Sequence, residues 1–242
     1  MLIGYVQEIT RHPVKSFQGE TVHQSYVMNY GLYGDRSHAF KDDSRVNKYL
    51  TITQCPQMAQ YEARFHQRDS LGSYPDIQIT TPDKRLLNWK DPELKKEMEQ
   101  LSNRPLTPVA YTPQHVPIGA LEEAHLLLIT DASLDKLSQM RGSQVDGRRF
   151  RPNILINLID KKPFDEEKWI GKYLLIGKKV KISLSSLCSR CMIITVDPKD
   201  GTKDPALLKT IAKEKNNEFG VYASVVHTGE ISVGDEIYLL DE

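Results

Sequence analysis

The chain has 242 residues, 39% hydrophobic and 26% charged, a composition typical of a soluble globular protein with one large or two modest domains. Its 32 basic and 32 acidic residues give no net charge, so the charge balance does not indicate nucleic acid or an anionic membrane as a partner. It has no apolar run near the roughly 20 residues that span a bilayer, no signal-peptide pattern and only three cysteines, which predicts a cytoplasmic protein with reduced thiols and no membrane association.

The first third of the chain alternates short β-rich segments with turns. Strands are predicted over residues 2–9, 21–28, 37–41, 58–65 and 77–81, with a further strand beginning at 51–53. The loop HPVKS, which carries Lys15 and Ser16, follows the first strand, and the glycine-rich turn YGLYGDR ends at Arg36. This succession indicates an antiparallel sheet or a small barrel.

A helix and a proline-rich connection follow. Asp91, Pro92 and Glu93 supply an N-cap, a proline in the first turn and an early acid, which predict a helix over residues 94–101. The prolines between 105 and 117 indicate an irregular, exposed connection. The sequence therefore predicts a first domain over residues 1–104 and a second over residues 105–242.

The second part combines strands with two helices. Strands are predicted over residues 124–129, 153–158, 180–184, 192–196 and 220–226. Helices are predicted over 132–140 and 205–215, and the closing sequence TGEISVGDEIYLL predicts a hairpin. The whole chain is thus predicted to be mainly β, of the α+β type, with a few short helices.

Two of the three cysteines lie in the sequence CSRCMIITVDPKDG, with Arg190 between them. A nearby cation favours an ionised thiol. A structural zinc ion usually takes four protein ligands, and only Cys55 and seven scattered histidines remain, so the spacing disfavours zinc. A thioredoxin-like dithiol should begin a helix, whereas the run after Cys191 favours a strand. A buried, inert pair is as compatible with the composition as a functional one.

Several basic residues lie at the ends of predicted strands: Lys15, Arg36, Arg148, Arg149, Arg151 and Arg190. Each one alone is typical of a solvated surface charge. As a group, with hydroxyl residues beside them, they are suited to hold a phosphate through charge-assisted hydrogen bonds. The sequence contains no Walker A and no G-x-G-x-x-G pattern, which disfavours a nucleotide held on a P-loop or Rossmann turn.

The segment RCMIITVDPKDG resembles the signature of the MOSC domain, which is named for the C-terminal region of molybdenum cofactor sulfurases. Further segments fall in the order found in the mitochondrial amidoxime-reducing component and in bacterial relatives of the YcbX type: HPVKSF, GLYGDR, ITDASL, RRFRPNILI and FGVYASVVHTGEISVGDEIYLL. The resemblance covers nearly the whole chain. It implies a MOSC-type β-barrel core, preceded by the β-barrel domain that accompanies MOSC at the N-terminus in that family.

The resemblance also implies a cofactor and its ligands. In that family the cysteine after the arginine ligates molybdenum beside the dithiolene of a pterin, and the matching catalytic and metal-binding residue is Cys191. A soft thiolate suits a sulfur-rich molybdenum centre. Cys188 is expected to be structural. Asp197 is expected to cap the turn with Pro198, and a carboxylate of the site is the alternative role for it. The residues that motif matching assigns to the pterin and its phosphate are Lys15, Ser16, Arg36, Thr130, Arg151, Asn153, Ser189, Arg190 and Tyr222.

The function that the resemblance implies is reduction of N-hydroxylated small molecules by a molybdenum-cofactor oxidoreductase. The cofactor is expected in a cleft between the two domains. A fused ferredoxin-like domain of the kind found in some bacterial relatives is not expected here, so electrons are expected from a separate reductase or ferredoxin-like protein. Two alternatives stay open: a sulfur-carrier or cofactor-handling protein with a persulfide on Cys191, and a binding module without catalysis.

Overall fold

The fold is mainly β with a few short helices, as the sequence predicts. A computed structural model describes residues 1–121 and 123–241. In this part of the chain the strands are β1 (Leu2–Arg11), β2 (Glu20–Val22), β3 (Gln24–Met28), β4 (Gly31–Leu32), β5 (His38–Asp42), β6 (Glu62–Phe65), β7 (Ile77–Thr80), β8 (Leu86–Asn88), β9 (Leu106–Ala110), β10 (Leu126–Thr130), β11 (Ile154–Leu158), β12 (Tyr173–Ile176), β13 (Val180–Ser189), β14 (Glu218–His227), β15 (Gly229–Ser232) and β16 (Glu236–Leu240). The helices are α1 (Pro92–Ser102), α2 (Ile118–Leu121), α3 (Asp131–Arg141) and α4 (Pro205–Lys215). None of these helices is long and apolar enough to cross a membrane.

A closed barrel of seven strands encloses one of the apolar clusters of the molecule. Around the barrel the strands run in the order β11, β10, β14, β13, β12, β16 and β1, and antiparallel pairing of β1 with β11 closes it. Side chains alternate between the two faces of a strand. β13 accordingly buries Val180, Ile182 and Leu184 in the apolar interior and leaves the residues between them partly exposed. The barrel is therefore a rigid frame for the residues of β13 and β14 that face the candidate site.

A second apolar cluster lies in the first part of the chain, between the sheet β6–β7–β8 and the pair β5–β9. Helix α1 covers this cluster with Leu94 and Met98. As predicted, α1 begins after Asp91 with Pro92 in its first turn. The Asp91 carboxylate, however, makes no capping hydrogen bond to the helix and instead accepts the Asn88 N–H (2.6 Å). It ends at Asn103, whose φ of 52° is the left-handed conformation common at helix C-termini.

The two parts of the chain are interwoven across residue 104, where the sequence predicts a boundary. β1 lies in the barrel with strands of the second part, and β15 pairs with β3 of the first part. β9, which follows residue 104, pairs with β5, which precedes it. Hydrogen-bonded strands therefore join the two parts, and the division into domains over 1–104 and 105–242 stays a prediction.

Several predicted segments differ from the structure. Of the strand predicted over 58–65, only Glu62–Phe65 is extended, because Pro56–Gln60 forms a 3-10 turn. Residues 51–53 form a turn in place of a strand, because the Gln54 side chain accepts hydrogen bonds from the backbone N–H (2.9 Å) and the hydroxyl (3.1 Å) of Thr51. The proline-rich connection is not irregular throughout, since it contains β9. Pro108 is tolerated in β9 because both strands of the two-stranded β5–β9 sheet are edges.

The predicted closing hairpin is also wrong. β15 and β16 are joined by a turn in which the Asp235 carboxylate accepts the Ser232 N–H (2.8 Å). They nevertheless pair with different strands: β15 with β3, and β16 with β1 and β12. The turn residues between two short strands indicate a change of chain direction, whereas the pairing partners depend on burial across the whole fold.

Candidate functional site

A cavity of about 120 Å³ brings Cys191 together with most of the predicted site residues. Its walls come from the turn before β5, the segment before β10, the segment that leads into β11, the end of β13 and the middle of β14. The predicted residues that line it are Arg36, Arg151, Asn153, Ser189, Arg190, Cys191 and Tyr222. The fold therefore gathers side chains from both parts of the chain into one site.

Three of the predicted site residues have an unusual backbone conformation. Ser16, Arg36 and Arg151 adopt positive φ angles of 72°, 49° and 56°. Residues other than glycine and asparagine rarely adopt this left-handed conformation, and such positions cluster at functional sites. Both arginines are held there by backbone hydrogen bonds, from Arg36 N–H to His12 O (2.7 Å) and from Arg151 N–H to Arg148 O (3.0 Å).

Arg190 is a buried cation of the cavity that is held by several contacts. Its Nε donates to Phe219 O (2.8 Å) and its Nη1 to Phe150 O (3.3 Å), and its guanidinium lies 5.0 Å from the centre of the Phe150 ring. Its Nη2 is buried and has no hydrogen-bond partner among the described residues. Burial lowers the pKa of Arg190, yet arginine stays charged in proteins. A buried, unpaired N–H of a cation costs free energy, so this position favours an anionic acceptor.

A glycine lies directly behind Arg190. Gly220 has a φ of 80°, and a Cβ at this position would lie 2.8 Å from Leu128 O and 3.4 Å from Nη2 of Arg190. Any larger residue would therefore be strained and would crowd the guanidinium. Because Gly220 has no side chain, the start of β14 passes close to Arg190 without displacing its Nη2 atom.

Four of the six predicted basic residues, Lys15, Arg36, Arg149 and Arg190, are buried, which corrects their interpretation as solvated surface charges. Arg148 is exposed, as that interpretation expects, and Arg151 is half-buried. Lys15 is 3% exposed, Arg36 6% and Arg190 8%. Among the described residues that line the cavity there are three guanidinium groups and two carboxylates, those of Asp35 and Glu123. The excess of buried positive charge makes the cavity suited to an anion.

The two cysteines of the C-x-x-C sequence have different surroundings. Cys188 is 1% exposed, and the Tyr222 hydroxyl donates a hydrogen bond to its sulfur. Burial raises the pKa of the Cys188 thiol, and the Arg190 guanidinium and the Tyr222 hydrogen bond offset this only in part. Cys191 is exposed, and all three cysteines are free. Only Cys191 therefore offers an accessible thiol at the cavity.

The segment after Cys191 is not the predicted strand over 192–196. It forms a 3-10 turn, Met192–Thr195, in which the Thr195 hydroxyl donates to Met192 O (2.7 Å). Arg149 donates to Thr195 O (3.2 Å) and to the Asp197 carboxylate (2.5 Å). Because side chains take these backbone groups, they are not available to a sheet. Asp197 also accepts the Lys199 N–H (2.8 Å), so its predicted role in capping the turn is confirmed.

Three predicted residues lie outside the cavity lining. Lys15 Nζ donates to Ala120 O (3.0 Å), and the Ser16 hydroxyl accepts the Ile52 N–H (3.1 Å). Thr130 caps helix α3, because its hydroxyl accepts the Ser133 N–H (3.2 Å). The structure thus gives Thr130 a helix-capping role, and cofactor contacts by these three residues stay predictions.

Sequence reasoning missed several residues of the site. Asp35 and Phe150 line the cavity, and each lies beside a predicted arginine in the motifs GLYGDR and RRFRPN. His125 and Glu123 also line it, but they follow no motif that the sequence reveals. Arg149, named only as a member of a basic group, holds the turn that follows Cys191. Adjacency to a predicted arginine was the one available signal.

The donor set of the cavity suits one class of metal site. Over residues 1–121 and 123–241 no group of three or more His, Cys, Asp and Glu side chains is placed to hold a metal ion. A metal bound by protein ligands alone is therefore not supported there. One exposed thiol beside buried guanidinium groups suits a metal that arrives with ligands of its own, as part of an anionic cofactor.

Two family profiles together match nearly the whole chain. The MOSC domain profile matches residues 102–238, and the MOSC N-terminal beta barrel domain profile matches residues 3–103. The human protein named mitochondrial amidoxime reducing component 2 is 31% identical, over 98% of this chain and 83% of that protein. A protein of Culex quinquefasciatus named molybdenum cofactor sulfurase 2 is 30% identical, over 69% of this chain and 21% of that protein.

A solved structure shares the fold. The YUAD protein of Bacillus subtilis matches with a TM-score of 0.53 at 10% identity, over 99% of this chain and 97% of that one. At this identity the match supports the fold alone. The two profiles and the near full-length relative go further, and the chain belongs to the MOSC family, in the group whose MOSC domain follows an N-terminal MOSC beta barrel.

Proposed function

We propose that this protein is a molybdenum-cofactor oxidoreductase that reduces N-hydroxylated small molecules with electrons from a separate protein. One observation carries the proposal: the exposed Cys191 thiol opens into the same cavity as the buried Arg190, whose Nη2 has no partner among the described residues. The relation to amidoxime reducing components supports the type of reaction. Such a cavity has a soft metal ligand and a site for an anion next to each other.

Each side chain of the cavity has a distinct role in this proposal. Cys191 ligates the metal, and Arg36, Arg151 and Arg190 bind the phosphate and the other anionic groups. Asn153 and Ser189 supply neutral hydrogen bonds to the pterin. Burial raises the pKa of the Tyr222 phenol, which keeps its proton for donation to Cys188. When bound, the molybdenum cofactor supplies two-electron chemistry and oxygen-atom transfer.

The proposed reaction breaks the N–O bond of the substrate. A hydroxylamine R–NHOH takes up two electrons and two protons and gives the amine R–NH₂ and water. The electrons come from a reductase or a ferredoxin-like protein. Because Cys191 is exposed, the metal that it ligates is accessible to a small molecule from solvent. This chain contributes binding, orientation and one metal ligand, and the cofactor contributes the redox chemistry.

The test combines metal analysis with turnover. Protein purified from a host that makes the cofactor should contain close to one molybdenum atom per chain. With reduced methyl viologen as the electron source it should convert a simple amidoxime to the amidine. Cys191→Ser should lose both properties, whereas Cys55→Ala, which removes a thiol from the second apolar cluster, should keep both. Wild-type protein without molybdenum from such a host would contradict the proposal.

The exposed thiol also supports a second candidate, a sulfur carrier. In that case Cys191 attacks the outer sulfur of a donor persulfide, takes that sulfur and releases the donor as a thiolate. Mass spectrometry of the purified protein distinguishes the two candidates. A gain of one sulfur atom on Cys191, in a preparation without molybdenum, would favour the carrier.

A further inference from the structure

We propose that Asp35 is a positioning residue of the cofactor site, an inference that rests on the proposed function. Asp35 is 1% exposed and lines the cavity. Its Oδ2 pairs with Nη1 of Arg36 and accepts a hydrogen bond from Nδ2 of Asn153 (3.1 Å). Its Oδ1 accepts the backbone N–H of His12 (2.7 Å). One carboxylate thus holds two side chains that line the cavity and the start of the HPVKS loop.

The partners of Asp35 have few other interactions that would fix them. Among the described residues, Nη2 of Arg36 makes one long hydrogen bond, to Arg151 O (3.4 Å). The Asn153 side chain accepts the Leu127 N–H (3.0 Å), and its Nδ2 has one further contact, to Thr10 O (3.4 Å). The shortest contact of the Arg36 guanidinium and the shorter of the two Nδ2 contacts are therefore those to Asp35. Without Asp35, the Arg36 guanidinium loses its shortest contact, and Asn153 keeps its Oδ1 contact to Leu127 but loses the shorter of its two Nδ2 contacts.

The negative charge is essential to this arrangement. Burial would raise the pKa of Asp35, but the Arg36 guanidinium and the contacts from His12 lower it well below its ordinary value. His12 adds no charge at neutral pH, because burial and the nearby Arg151 and Arg36 lower the pKa of His12. All three partners of the carboxylate donate hydrogen bonds. An amide at position 35 would have to direct its NH₂ group at one of these donors, which leaves that donor unpaired.

The consequence for the cofactor is preorganisation. A flexible arginine loses side-chain entropy when it binds an anion, and this loss weakens binding. Asp35 holds Arg36 in the cavity wall before the anion arrives, so less entropy is lost on binding. Asp35 acts through Arg36 and Asn153 and is not itself expected to contact the cofactor.

A second buried aspartate provides a matched control. Asp42 is also 1% exposed and pairs with Arg45 (2.5 Å) and Arg104 (2.8 Å), but it does not line the cavity. Asp42→Asn therefore removes a buried, paired charge of the same kind at a distance from the site. A general loss of stability affects both variants, whereas a loss of cofactor positioning affects only Asp35→Asn.

The experiment measures the affinity of cofactor-free protein for purified molybdenum cofactor, together with thermal unfolding. We expect Asp35→Asn to weaken binding by about 10-fold or more, the effect of losing one charge-assisted hydrogen bond. Asp42→Asn should stay within about 2-fold of wild type, even where its unfolding temperature falls by a similar amount. Equal affinities of Asp35→Asn and wild type would overturn the proposal, as would parallel losses of affinity in both variants.

The effects of substituting Asp35 and Arg36 on cofactor affinity should not be additive. A merely structural role of Asp35 would not produce this coupling. In an Arg36→Gln background, Asp35→Asn should weaken binding by less than about 3-fold, because most of its effect passes through Arg36 and only the part through Asn153 is left. Full additivity would contradict the proposal. Arg36→Lys, which keeps the charge but loses the two-pronged guanidinium, should bind as weakly as Asp35→Asn and provides the test if Asp35→Asn does not fold. Wild-type protein that does not bind the cofactor would overturn the proposed function itself, an outcome distinct from those above.

Discussion

Cys188 and Cys191 lie three positions apart and line the same cavity, but their surroundings are opposite. Cys188 is the last residue but one of β13, is 1% exposed and accepts a hydrogen bond from Tyr222. Cys191 lies after the strand, at the start of a 3-10 turn, and is exposed. The change from strand to turn between them decides which sulfur is accessible. A C-x-x-C sequence is therefore not sufficient evidence for a paired dithiol or half of a zinc site.

The comparison also clarifies the role of Arg190, which lies between the two cysteines. Its side chain points into the barrel end, where Phe150 O and Phe219 O accept its N–H groups. The backbone N–H of Arg190 donates to Asn217 O (2.8 Å), and Asn217 Nδ2 donates to Arg190 O (2.6 Å). These contacts fix the backbone from which Cys191 projects. Arg190 thus anchors the segment, and its Nη2 is the group that we propose binds the anion.

The largest expected difference between the two thiols is in chemical reactivity. At pH 7.5 in the cofactor-free protein, iodoacetamide should modify Cys191 at least about 100-fold faster than Cys188, which reacts only after local opening. Burial raises the pKa of Cys188 above its ordinary value of 9.0, so its rate should still increase with pH above 9. Peptide mass spectrometry over time measures both rates. Comparable rates at pH 7.5 would contradict the assigned environments.

A smaller effect is expected from loosening the turn that follows Cys191. Asp197→Asn weakens the contact with Arg149, which should lower the free energy of unfolding by about 1–2 kcal/mol. Urea denaturation measures this change. Asp160→Asn, at an exposed position of the second part, is the control and should have no measurable effect. An Asp197→Asn variant as stable as this control would show that the ion pair does not hold the turn.

The smallest effect should follow from removing the hydroxyl that contacts Cys188. In Tyr222→Phe the sulfur loses a donor that lowers its pKa, so the pH midpoint for alkylation of Cys188 should rise by less than about one unit. Cys191 should keep its wild-type rate. Tyr238→Phe, which removes an exposed hydroxyl from β16, is the matched control. A downward shift of the Cys188 midpoint would contradict the direction of this hydrogen bond.

Local signals in the sequence were sufficient to predict the position and type of those helices and strands that begin at a clear boundary residue or have a strong hydrophobic pattern. Asp91 and Pro92 mark the start of α1, and the alternating residues of β13 mark a strand. The run MIITV was misleading, because its β-branched residues favour a strand in isolation. Hydrogen bonds from Arg149, more than 40 positions earlier in the sequence, instead stabilise a turn. Contacts between distant segments override local propensity at this position.

In the candidate site, too, the residue types could be predicted from local motifs, whereas the contacts between distant segments could not. The arginines and Cys191 were predicted from motifs because their residue types match the chemistry of an anionic cofactor. The sequence could not show that Arg190 Nη2 lacks a partner, or that Asp35 pairs with Asn153 across more than 100 positions. Nor could it show that Thr130 caps α3. These properties depend on which strand ends meet in space, and that follows from the closure of the barrel.

Molybdenum content of the two cysteine variants tests the distinction between Cys188 and Cys191 most directly. Wild type, Cys188→Ser and Cys191→Ser would be purified in parallel from one host that makes the cofactor, and molybdenum and pterin would be counted per chain. We predict that Cys188→Ser keeps most of the molybdenum found in the wild type, and that Cys191→Ser retains less than about one-tenth of it. Equal molybdenum in wild type and Cys191→Ser, or loss only in Cys188→Ser, would contradict the assignment of Cys191 as the metal ligand.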